Sequence, residues 1–184
     1  MLATAVDAAS LAPNTVEITP RLVTAGQPSR DTLARLREQG FGAVIYLAPP
    51  TLHDALQDEP VILNRQSIAF VNIPIEFERP MEADYEVFTH QMKKPGDRKL
   101  LVHCQANLRA SSMVFLYRVI ELKEDPHKAY GREQRLGAER HVEALYSGHV
   151  AKARHHVRAL LAASEMRSPA PYALTFLLSL LALA

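Results

Sequence analysis

Residues 99–120 read Lys99-Leu-Leu-Val-His103-Cys104-Gln-Ala-Asn-Leu-Arg109-Ala-Ser-Ser-Met-Val-Phe-Leu-Tyr-Arg-Val-Ile120. The stretch opens as an apolar run with the length and flanks of a buried strand, Lys99 to His103. From Ala110 to Lys123 the spacing predicts a helix. Met113, Val114, Leu116, Tyr117, Val119 and Ile120 leave it apolar on most sides, so it belongs at the centre of a fold. A strand that turns into a buried helix is the building unit of parallel α/β sheets, and sites in such sheets lie at the carboxyl ends of strands.

Upstream, the same alternation repeats. Leu22 to Ala25 reads as a short strand ending at Gly26, and Ser29 is a good cap for a helix carrying Leu33 and Leu36, with Gly40 as its stop. Ala43 to Ala48 is an apolar strand closed by Pro49-Pro50, a short helix covers part of 52–66, and Ala69 to Pro74 is the next strand. Met81 to Met92 reads as a helix. The expected fold class is therefore α/β, a mainly parallel sheet flanked by helices.

Downstream, the character changes. Residues 1–128 carry 14 basic and 16 acidic side chains, whereas 129–184 carry 7 and 4. A boundary near Tyr130 divides an α/β domain, 1–130, from a helical extension, 131–184, that ends in the uncharged Tyr172-Ala-Leu-Thr-Phe-Leu-Leu-Ser-Leu-Leu-Ala-Leu-Ala184. Thirteen helical residues span about 20 Å, short of the ~30 Å hydrocarbon core, so a membrane anchor is not expected. The tail reads instead as a surface that packs on the domain or joins copies of the chain into a homo-oligomer. At the other end, Asp7 interrupts the only apolar stretch, and no secretory leader is read there. The chain is expected to be cytoplasmic.

The chain of 184 residues, 48% apolar, can bury a sizeable core, and a net charge of +1 argues against a general nucleic-acid binder. It has one cysteine, so a monomer has no disulfide framework and no cysteine-rich zinc site. Of the histidines, His141, His149, His155 and His156 fall in the extension, where no cysteine or carboxylate cluster completes a tetrahedral set; no metal is expected. Arg132, Arg135, Arg140, Arg154 and Arg158 read as a solvated face.

Cys104 is either a buried small hydrophobe or a nucleophile. The order strand, cysteine, turn, arginine, buried helix favours chemistry. A strand-to-helix loop gathers backbone N–H groups at the positive end of a helix, where an anion is stabilised. A thiolate is such an anion, so the loop that binds an oxyanion also activates Cys104. The planar fork of Arg109 takes two oxygens of a tetrahedral anion. Ser111 or Ser112 can bond the sulfur, and His103 braces the loop from behind.

The segment Val102-His-Cys-Gln-Ala-Asn-Leu-Arg-Ala-Ser-Ser112 resembles the signature loop of the cysteine-dependent protein tyrosine phosphatases, particularly the small bacterial dual-specificity-like ones. Residues 18–50, Ile-Thr-Pro-Arg-Leu-Val-Thr-Ala-Gly-Gln-Pro-Ser and onward, are similar to the start of the beta-lactamase-hydrolase-like, phosphatase-like domain. The resemblance implies a phosphocysteine at Cys104, phosphoryl oxygens held by Arg109, and a pocket lined by Gln105, Ala106, Asn107, Leu108 and Arg109 through their amides. The loop departs from the family pattern. Four residues, not five, separate cysteine from arginine, which shortens the ring by up to ~3.5 Å of chain and one donor. That spacing also resembles rhodanese-type loops, whose cysteine carries a persulfide. There is no glycine, so Asn107 is the best residue for any left-handed position. Ala110 stands where a serine usually follows the arginine.

A phosphatase needs an acid for the leaving oxygen. The family often supplies an Asp after a strand reading like Ile73-Pro74, but Phe77 occupies that place here. Glu76 ranks first, then Asp84, then Glu78, each weighed against a solvated surface carboxylate. Gly26-Gln27-Pro28-Ser29 reads chiefly as a turn and helix cap. The leading expectation is a phosphomonoesterase acting on a phosphorylated substrate, with no metal or organic cofactor. A rhodanese-like sulfurtransferase and a non-catalytic phosphate-binding module are the alternatives.

Overall fold

The computed structural model describes residues 11–77, 79–125 and 128–129. The extension from 131 onward lies outside them, and with it the apolar tail, the four histidines and the arginine face named above; Glu78 does too. In chain order the elements are β1 (Val16–Thr19), β2 (Leu22–Ala25), α1 (Arg30–Leu33), β3 (Phe41–Tyr46), α2 (Glu59–Asn64), β4 (Ala69–Asn72), α3 (Glu82–Met92), β5 (Lys99–His103) and α4 (Leu108–Ile120).

The five strands form one sheet in the order β1-β2-β5-β3-β4. β5 runs parallel to both β2 and β3, and β4 runs parallel to β3; only the edge strand β1 is antiparallel, to β2. The sheet is thus mainly parallel and flanked by helices, as expected of its alternating pattern. β1 is the element not foreseen. Val16 to Thr19 is short and only Ile18 is buried, so it carries little periodic signal.

Alternation along β5 builds both sides of the core. Leu100 and Val102 pack with α3 and α4 residues such as Phe88, Met113 and Leu116, whereas Leu101 packs with Leu33, Leu36 and Leu63 on the α1–α2 side. Helix α4 is central in the sense its composition demanded: from Arg109 to Ile120 every residue but Tyr117 is buried. Two turn positions follow their chemistry. Ser29 Oγ accepts from the Thr32 amide at the start of α1, and Gly40 has φ +86°, open to glycine at little cost. Among the described residues, no helix is long and apolar enough to cross a membrane.

Candidate active site

β5 delivers Cys104 to the carboxyl end of the sheet between β2 and β3. The Cys104 amide donates to the Ala25 carbonyl at 3.2 Å, which pins the cysteine to the end of β2. The thiol itself is buried, 2% exposed. The chain then turns on Asn107, whose φ of +69° is left-handed, and enters α4 at Leu108. The turn that family loops make with glycine is made here by asparagine, as its tolerance of that region predicts. The helix starts two residues before Ala110, so Arg109 stands in its first turn rather than at the end of the loop. The amides of Leu108 and Arg109, in the first turn of α4, therefore have no acceptor within the helix.

The loop is held from outside. The Asn107 carboxamide donates to the Asn14 carbonyl at 2.6 Å and to Thr24 Oγ1 at 3.1 Å, and Asn14 Nδ2 returns a bond to the Ala106 carbonyl at 3.1 Å. The Gln27 amide donates to the Gln105 carbonyl at 2.9 Å. Ser111 Oγ bonds the Asn107 carbonyl at 2.7 Å and the Leu108 carbonyl at 3.1 Å, so its hydroxyl fastens the turn, while Ser112 Oγ is buried with no partner among the described residues.

Arg109 is 4% exposed. Its Nη2 donates to Gln105 Oε1 at 3.1 Å and its guanidinium lies 5.4 Å from the Phe77 ring centroid. Nε and Nη1 are buried and bond nothing among the described residues. A buried cation with two idle donors is costly unless an anion completes it. Nε and Nη1 are thus the donors left for the oxygens of a bound oxyanion.

His103 is wholly buried behind the loop. Its Nε2 lies 2.7 Å from Glu59 Oε1, and Glu59, 2% exposed, also accepts from Gln27 Nε2 at 3.1 Å. Tyr46 stacks on the imidazole at 4.7 Å. Burial, then the nearby Glu59 and Asp54 carboxylates, push the Tyr46 phenol up to about 12.

The carboxylates foreseen as acids stand differently. Asp84 Oδ2 accepts from the Met81 amide at 2.8 Å and serves the start of α3. Glu76 is exposed in the segment leading to Phe77. Two residues that sequence reasoning passed over sit closer to the loop. Glu59, flanked by Asp58 and Pro60, looks like an ordinary acidic helix start. Asp54 had a signal, its position on the loop after β3 at the carboxyl end of the sheet. Its Oδ1 accepts from Gln105 Nε2 at 2.7 Å. Among the described residues, no cluster of His, Cys, Asp or Glu can hold a metal ion.

A family model described as "DSP-PTPase phosphatase fused to NAD+ Kinase" matches residues 7–147. The chain belongs to this family. A beta-lactamase hydrolase-like protein of Xylella fastidiosa is 27% identical over 121 residues, 63% of this chain and 28% of its own length, so the chain spans under a third of that curated relative. Among solved structures, a DUF442 protein from Shewanella putrefaciens CN-32 has a TM-score of 0.64 at 25% identity, over 82% of this chain and 90% of its own. TpbA of P. aeruginosa, in complex with pTyr, has a TM-score of 0.62 at 18% identity, over 86% and 94%. The core catalytic domain of the PP-IP phosphatase SIW14 from S. cerevisiae reaches 0.58 at 12%, over 79% and 85%. The fold of this DSP-PTPase family member is that of the tyrosine-phosphatase-like phosphatases.

Proposed function

We propose that the chain hydrolyses phosphomonoesters through a phosphocysteine at Cys104. The observation that carries this reading is Arg109: a buried guanidinium with Nε and Nη1 unpartnered among the described residues, five residues after a cysteine at the carboxyl end of β5. The thiolate attacks phosphorus, the S–P bond forms as the ester P–O bond breaks, and water then releases phosphate and restores the thiolate. Arg109 and the amides opening α4 stabilise the charge on the phosphoryl oxygens throughout. No metal or organic cofactor enters these steps. A lone thiol acting this way suits the reducing cytoplasm, and the substrate is a phosphorylated protein or small molecule rather than nucleic acid.

The four-residue spacing between Cys104 and Arg109 keeps a second reading in view, sulfur transfer through a Cys104 persulfide. Aryl-phosphate hydrolysis and thiosulfate-to-cyanide transfer, each run with wild type and Cys104→Ser, decide between them. Phosphate release that vanishes in Cys104→Ser is expected. Release that survives the substitution sinks the mechanism, and sulfur transfer without phosphate release promotes the alternative. With neither activity, a rise in melting temperature on adding tungstate leaves a phosphate-binding module.

A further inference from the structure

We propose that Asp54 is the proton donor to the leaving oxygen. This assignment rests on the phosphatase reading above and replaces the carboxylates that sequence pattern favoured. Three relationships carry it.

The first is a relay of contacts. Asp54 Oδ1 accepts from Gln105 Nε2 at 2.7 Å, and the same carboxamide, through Oε1, accepts from Arg109 Nη2 at 3.1 Å. One side chain therefore spans from Asp54 to the guanidinium whose other donors stand idle. The second is the form of that contact. With Gln105 donating to Oδ1, that oxygen is held as an acceptor, so a proton to be transferred has its place on Oδ2. Gln105 thus fixes which oxygen carries the proton, as a second group fixes a catalytic acid elsewhere.

The third is where Asp54 stands. An open groove of about 750 Å³ runs beside the cysteine loop, walled by Asn14, Gln27, Thr32 and Leu56. Asp54 and Gln105 line it as well, and Gln105 bonds Arg109, which lies outside the lining. In the proposed pose the phosphoryl group sits on Arg109 and the alcohol portion passes Gln105 into the groove, which brings the bridging oxygen to Asp54. The groove has the volume of a small-ligand site, and its wall mixes carboxamides, hydroxyls and apolar side chains. Asp84, by contrast, is committed to the Met81 amide.

The step balances. As the Cys104 sulfur bonds phosphorus and the P–O ester bond breaks, the Oδ2 proton moves to the departing oxygen, giving a neutral alcohol and the Asp54 carboxylate. In the second half, that carboxylate takes a proton from the water that attacks phosphorus, and the S–P electron pair returns to sulfur.

The test is leaving-group dependence. Wild type, Asp54→Asn and Glu76→Gln are assayed on 4-nitrophenyl phosphate, whose leaving group departs as an anion, and on phenyl and alkyl phosphates, whose leaving groups need a proton. Orthovanadate affinity, measured alongside, reports whether the phosphoryl site is intact. Asp54→Asn is expected to lose ~10²–10⁴ in kcat on alkyl phosphates and much less on the nitrophenyl ester, and to keep vanadate affinity. Glu76→Gln is expected to match wild type. An equal loss on every ester, a loss of vanadate affinity that accounts for the activity change, or leaving-group dependence in Glu76→Gln instead overturns the assignment while Cys104 chemistry stands. A wild type that releases no phosphate from any ester overturns both.

Discussion

His103 Nε2 and Glu59 Oε1 lie 2.7 Å apart with both side chains out of water, joining the strand that precedes the cysteine to helix α2. Removing one member leaves the other buried without this partner, at a cost of ~1–3 kcal/mol, whereas an amide keeps most of the geometry. Glu59→Ala is expected to lower the unfolding free energy read from urea titration by that much, and Glu59→Gln by clearly less. Equal midpoints for wild type and Glu59→Ala mean that the pair contributes nothing to the fold.

The backbone behind the loop leaves no space. A Cβ on Gly26 would lie 2.7 Å from the Gln105 carbonyl oxygen and 2.8 Å from that of Pro13, both main-chain atoms. Gly26→Ala therefore moves the cysteine loop or the turn clamped to it, at ~1–3 kcal/mol of stability. Vanadate or phosphate affinity is expected to fall together with the melting temperature. Crystal or NMR data showing an unshifted Gln105 in Gly26→Ala run against the prediction.

Tyr46 gives the protein an alkaline limb. Its folded phenol titrates at about 12 and its unfolded one near 10, so the folded state keeps a proton that the unfolded state sheds. The stability this supplies is complete below pH ~10 and drains away as pH rises toward 12, by at most about 1.4 kcal/mol per pH unit. Urea midpoints from pH 9 to 11.5 should fall more steeply for wild type than for Tyr46→Phe. Parallel slopes refute the shift. The hydroxyl is buried without a partner among the described residues, so its removal should not destabilise the neutral protein.

Arg109 sets binding against stability. With Nε and Nη1 unpartnered among the described residues, Arg109→Met is expected to raise the melting temperature, by about 1 kcal/mol of stability, while tungstate no longer raises it further. Arg109→Lys keeps the charge but loses the fork, and should retain only weak anion binding. A destabilised Arg109→Met would mean that Phe77 and Gln105 already satisfy the guanidinium.

Much of this architecture was written in local pattern. The strands at 22, 43, 69 and 99 and the central helix all announce themselves through apolar runs bounded by Gly, Pro or Ser. Cys104, Arg109 and the left-handed Asn107 were legible because loop, strand and helix are contiguous in sequence. What stayed hidden is long-range. Asn14 reaches Ala106 and Asn107 across more than ninety residues, and nothing in the run Pro13-Asn14-Thr15 signals a partner at that distance. Glu59 and Asp54 were obscured for opposite reasons. The first imitates a helix cap, and the second is a common residue in a loop whose neighbours only the folded sheet reveals.

The sheet order has a consequence for synthesis. β5 lies between β2 and β3, yet it is the last of the described strands in the chain. Until it emerges, β2 and β3 each present an unpaired apolar edge, a template for pairing with a neighbouring chain. The strand that closes those edges is also the one that ends in Cys104. The docking that covers those edges therefore also places the cysteine, whose amide bonds the end of β2.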